Sequence, residues 1–110
     1  MRTLLAALTM LPIFASTGRA DDWTDCTQQT NLDLSISGCS NVIAAGRSAY
    51  VAIAYYDRAL THARKGDHDL AVADFDKAIE LSPKDARFYY GRGAFYSAGN
   101  AEGKRIYRSI

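Results

Sequence analysis

The sequence predicts an all-α fold: a short right-handed solenoid of helix-turn-helix units with an N-terminal partial repeat. Two observations carry that expectation. Tyr55-Tyr56-Asp57-Arg58-Ala59 recurs 34 residues later as Tyr89-Tyr90-Gly91-Arg92-Gly93, and self-similarity at a fixed period in this range is the mark of stacked repeats. Between the two copies, Leu70, Val72, Phe75, Ala78 and Ile79 fall at helical spacing.

At 110 residues the chain holds one domain at most. Its first 20 residues read as a removable leader. Arg2 supplies a positive start, Leu4 to Phe14 form an apolar run, and Gly18-Arg19-Ala20 places small residues where a signal peptidase reads them. That run rises only ~16 Å as a helix, too short for a bilayer core, and Pro12 interrupts it. Export to the periplasm or outside the cell is therefore expected, with no membrane span after cleavage. Of 13 basic and 12 acidic groups, Arg2 and Arg19 leave with the leader, so the mature chain is slightly acidic. That excludes nucleic-acid binding by phosphate neutralisation and a polybasic membrane surface.

The elements follow in order. Asp22 to Gln29 is too short for a full helix, whereas Asn31 to Ala45 is expected to be one. Leu34, Cys39, Val42 and Ile43 align with Leu70, Phe75, Ala78 and Ile79 at a constant offset of 36. Cys26 and Cys39 are the only cysteines, and an oxidising compartment makes them a disulfide. Ile36-Ser37-Gly38-Cys39 imitates a lipoprotein cleavage box, but it lies far from the leader's apolar run. Residues 21–46 thus form a degenerate half-repeat, 47–84 a full unit and 85–110 an incomplete one. Gly66-Asp67 is the turn inside the full unit, with Asp67 capping its second helix. Ser82-Pro83 stops that helix, and Asp85 offers an N-cap for the next. Gly99-Asn100 is expected to turn the chain again before a short last helix from Ala101.

This pattern resembles the tetratricopeptide repeat (TPR) family. Tyr55, Ala59, Ala71, Phe75, Ala78 and Pro83 stand at the family's spacing, and Tyr89, Gly93 and Tyr96 repeat the first-helix positions. The resemblance implies that Ala59, Gly93 and Ala71 allow close helix crossings, that Phe75 and the tyrosines fill the space between, and that Pro83 closes the unit. Arg58 and His62 depart from the pattern, which usually has Leu and Tyr there. Trp23, Cys26, Cys39 and Val42-Ile43 are further similar to the start of small exported bacterial proteins of this family.

For function, the resemblance implies a protein or peptide partner held on the concave face. Ile53, Tyr56, Asp57, Leu60 and Arg64 come from the full unit and Arg87, Tyr90, Ala94 and Ser97 from the next. Tyr56 and Tyr90 would be the anchors, since Tyr and Arg dominate interfaces, and replacing both is expected to leave the melting temperature nearly unchanged. Arg64 and Arg87 would select an acidic or hydrogen-bonding feature. Asp57 and Gly91 stand where family members that grip a peptide carboxylate want Asn, so that mode is disfavoured. No cofactor is implied, because Gly91-x-Gly93 lies within an expected helix with no strand before it. His62 and the Asp67-His68-Asp69 run raise a metal-dependent hydrolase as a lesser reading, but their spacing is unconvincing as a metal site. Ile106, Tyr107 and Ile110 lack a later repeat to cover them. Homodimerisation there, a covering partner and a truncated gene all remain open, and the shortfall of the last unit favours truncation.

Overall fold

The computed structural model describes the backbone of residues 20–108 and the side chains of 21–98. The rest of the expected leader lies outside the described residues. Among the described residues five helices follow one another: α1 (Ala20–Thr27), α2 (Leu32–Ala45), α3 (Ser48–Lys65), α4 (His68–Leu81) and α5 (Ala86–Arg108). Among the described residues there is no strand, and no helix is long and apolar enough to cross a membrane.

Local chemistry sets most boundaries. The Asn31 side chain accepts from the Leu34 amide at 3.0 Å and starts α2. Gly46 and Gly66 end α2 and α3 at positive φ, 73° and 85°, where a side chain would be strained. Asp85 starts α5 by accepting from the Arg87 amide at 3.0 Å. Asp67 corrects the capping expectation: it precedes α4 but makes no side-chain cap bond, and its carboxylate lies 3.9 Å from His62 Nδ1 instead. Pro83 lies exposed in the turn after α4 and adds nothing to the buried core, which corrects its placement among the core residues.

Helix packing produces three buried clusters. Cys26, Cys39, Val42 and Ala54 join α1, α2 and α3, with Trp23 and Ile43 against them. The Cys26 and Cys39 sulfurs are bonded and fully buried. Gly38 is required here, since a Cβ would come within 2.6 Å of the Asp22 carbonyl oxygen. That backbone approach explains the glycine of the false lipoprotein box. Ala59, Ala71 and Phe75 form the α3–α4 cluster, and Ala52, Ala78 and Phe88 bring in α5. The offset of 36 holds in three dimensions. Ser35, Cys39 and Val42 are buried on α2 as Ala71, Phe75 and Ala78 are on α4, while Leu34 and Leu70 are both exposed.

The two departures from the repeat pattern share one explanation. Arg58 donates from Nε and Nη2 to the two carboxylate oxygens of buried Asp74 on α4, at 2.7 and 2.9 Å, and from Nη1 to Ser40 on α2 at 3.0 Å. The hydrogen bonds to Asp74 raise the Arg58 pKa above its ordinary value despite partial burial. His62, also buried, places Nε2 3.7 Å from the same Asp74. A polar α3–α4 contact therefore stands where the family packs Leu and Tyr, and Asp74 is the residue that requires it.

α5 differs from expectation. Its helix runs unbroken for 23 residues, Ala86–Arg108, through the expected turn at Gly99-Asn100. Its packing stripe also differs. Phe88 is buried, Gly91 is buried and Phe95 packs on the α3–α4 cluster. Tyr89 and Tyr96 are each 44% exposed, and a Cβ on Gly93 would meet nothing within 4 Å. The assignment of Tyr89, Gly93 and Tyr96 to the core is thus corrected. They occupy the face that a following antiparallel helix would cover, and no described element lies there.

Candidate functional site

Helices α3 and α5 both belong to the first-helix position of a unit, so they lie on the same side of the stack with α4 behind them. Between them opens a cleft of about 790 Å3. Its floor and walls are Tyr56, Leu60 and Ala63 on α3 and Tyr90, Ala94 and Phe95 on α5, with Gln29, Arg64 and His68 at the rim. The spacing of 56, 60 and 63, and of 91, 94, 95 and 98, is the i, i+3, i+4, i+7 stripe of one helix face.

Tyr56 organises this cleft. Its ring centroid lies 5.0 Å from that of Phe88 and 5.9 Å from that of Phe75, the latter edge-on. It approaches α5 so closely that a Cβ on Gly91 would fall 2.5 Å from its Cε1 and 2.6 Å from its hydroxyl oxygen. Gly91 is therefore the close-crossing glycine of α5, in the role expected of Gly93. Tyr56 is at once a wall of the cleft and part of the interhelix core. The expectation that it could be replaced with little effect on the melting temperature is corrected. Tyr90, by contrast, is 79% exposed. Phe95 completes the cleft through tilted ring contacts, with centroids 5.5 Å from Phe75 and 5.6 Å from the rim residue His68.

Of the nine residues expected on the concave face, Tyr56, Leu60, Arg64, Tyr90 and Ala94 come together in the cleft, and Ser97 does not line it. Ile53 does not: it packs partly buried on the Ala52–Phe88 cluster. Asp57 and Arg87 stand beside the cleft without lining it. Burial pushes the Asp57 carboxyl up to about 6, and the Arg87 guanidinium opposes the shift. Arg87 is itself held by Asp85 through Nε at 3.0 Å and Nη2 at 2.6 Å. Arg64 donates from Nη1 to the Gln29 backbone oxygen at 2.8 Å and side-chain oxygen at 3.1 Å. Both guanidinium groups are thus already engaged within the chain, which weakens the expectation that they select an acidic ligand. Engagement of Arg64 brings Gln29, after α1, to the rim, so the half-repeat contributes to the cleft.

Sequence reasoning missed Phe88, Phe95 and Gln29. The first two were detectable as a second helical stripe, Phe88–Gly91–Phe95, one residue out of step with the tyrosines. Gln29 gave no signal, because its place depends on how the loop after α1 meets α3. His62 and His68 are separated in role, one buried against Asp74 and the other at the cleft rim. Among the described residues no three of His, Cys, Asp and Glu are grouped to hold a metal ion.

No curated protein and no solved structure matches the chain. Residues 52–85, from the middle of the first stripe of α3 to the cap of α5, match the family model described as Tetratricopeptide repeat. That match lies on α3 and α4, so the chain carries a tetratricopeptide repeat over residues 52–85.

Proposed function

We propose that this chain is an exported, non-catalytic interaction module that holds a peptide or helix of a protein partner in the α3–α5 cleft. Repeats of this family serve protein–protein interaction, and the cleft supplies a place for it. The observation that carries the reading is an apolar trough, lined by Leu60, Ala63, Ala94 and Phe95, with the 79% exposed Tyr90 at its edge. An exposed aromatic beside a concave apolar surface is the arrangement that anchors partners. Affinity would come from burying an apolar side chain against Tyr56 and Phe95. The engaged guanidinium of Arg64 and the Gln29 amide would orient the ligand backbone by hydrogen bonds. Export is supported by the leader pattern and by the Cys26–Cys39 bond, since such bonds persist in oxidising compartments.

The test is selection of a displayed random-peptide library on the purified chain, followed by titration of the enriched peptides. Ala94→Arg fills the cleft and Tyr90→Ala removes its exposed edge, and both positions are exposed, so folding is retained. Loss of at least tenfold in affinity in both variants, with unchanged thermal melting, supports the cleft. Peptides that bind both variants as well as the parent chain refute it.

A further inference from the structure

The helix α5 carries two stripes, and among the described residues only one is packed against other helices. Phe88, Gly91 and Phe95 face α3 and α4. Tyr89, Gly93 and Tyr96 correspond, 34 residues on, to Tyr55, Ala59 and His62. Of that earlier set, Ala59 and His62 lie buried against α4, where Ala59 meets Ala71 and Phe75 and His62 approaches Asp74. On α5 the same pattern is open: both tyrosines are 44% exposed and Gly93 faces free space. Because α5 continues as one helix to Arg108, residues 101–108 cannot fold back over 89–96.

We propose that a second copy of this chain covers the stripe, α5 against α5, antiparallel about a two-fold axis near Gly93. The pattern is self-complementary. Tyr89 precedes Gly93 by four residues and Tyr96 follows by three, so antiparallel pairing sets each Tyr89 opposite the other copy's Tyr96. The two Gly93 positions then meet at the axis, where absent side chains let the backbones approach. An interface of this kind uses the same patch on both copies and closes at two. Arg92, next to the axis, is already paired with Asp76 at 2.8 Å, so the axis itself brings no unpaired charges together. Length agrees with the arrangement. A 23-residue helix spans ~34 Å, and helices without tertiary cover are marginal in water. The interface lies at Tyr89–Tyr96, distinct from the cleft and from the Ile106–Ile110 stretch expected from sequence.

The experiment is sedimentation velocity and light scattering over a dilution series of the chain purified from an exporting host. Wild-type protein is expected to show twice the monomer mass at high concentration and to dissociate on dilution. Gly93→Glu puts a charge and a side chain on the axis while touching nothing within its own copy, so it should give monomer at every concentration with unchanged circular dichroism. Gly93→Cys should form an interchain disulfide under mild oxidation, whereas Ala94→Cys, on the cleft side, should not. Tyr90→Ala, which tests the cleft, should leave the dimer intact. A wild-type monomer at all concentrations, a dimer that survives Gly93→Glu, or equal crosslinking at positions 93 and 94 overturns the proposal.

Discussion

Gly91→Ala is the most informative perturbation, because its effect should change sign with the residue at position 56. In the parent chain the new methyl would fall 2.5 Å from Tyr56 Cε1 and 2.9 Å from Cζ. The ring cannot swing clear, since Phe75 and Phe88 hold it at 5.9 and 5.0 Å between centroids. Overpacking of this kind costs about 1–3 kcal/mol. Replacing a mid-helix glycine by alanine gains about 1 kcal/mol in helix propensity. The net expectation is a loss of about 1 kcal/mol, read as a melting temperature lower by roughly 4–8 °C for a domain of this size. In a Tyr56→Ala background the obstruction is gone and only the propensity gain remains. Gly91→Ala should then raise the melting temperature by a few degrees. The double-mutant cycle, followed by far-UV circular dichroism, should show a coupling of about 2 kcal/mol. If Gly91→Ala stabilises both backgrounds equally, Tyr56 does not press on α5 and the description of the cleft fails.

Three further outcomes are expected. Arg58→Leu installs the residue common in the family but strands buried Asp74. It should cost about 2 kcal/mol in chemical denaturation, below the usual range for a broken buried pair because the guanidinium is partly exposed, and adding Asp74→Ala should recover much of the loss. Replacing Cys26 and Cys39 together by serine opens a link with a sequence separation of 13, worth about 3 kcal/mol in the chain-entropy view; reducing agent should then cease to affect the melting temperature. Asp57, with its carboxyl at about 6 in the fold against 3.8 as the ordinary value, binds its proton more tightly in the native state than in the unfolded chain. Its ionisation therefore lowers stability as pH rises from about 4 through 6. Asp57→Asn should raise the melting temperature at pH 7 and have little effect near pH 4, and an equal effect at both would refute the assignment to burial.

Much of the architecture was legible because it is written in local chemistry. The period of 34, the helical spacing on α4, the Gly66 turn and the Asp85 cap each act within a few residues of themselves. The offset of 36 found the half-repeat for the same reason: burial repeats with the helix. The concave residues were half legible. Tyr56, Leu60, Arg64 and Tyr90 follow from helix phase alone, but Ile53 lies at the edge of that phase and turns into the core. Arg87 was misjudged because its partner, Asp85, is a cap whose second oxygen the sequence does not assign.

The sequence by itself determined that two-helix units stack here and which residues lie on which side of each helix, because helical period and capping are properties of neighbouring residues. Only the tertiary structure decided which sides are covered. Gly91 rather than Gly93 takes the close crossing because of where the Tyr56 ring lands. Asp74 turns two departures from the repeat pattern into one polar contact, and the unbroken course of α5 leaves Tyr89, Gly93 and Tyr96 facing outward. Those outcomes depend on distances between helices remote in the chain, and no local rule contains them.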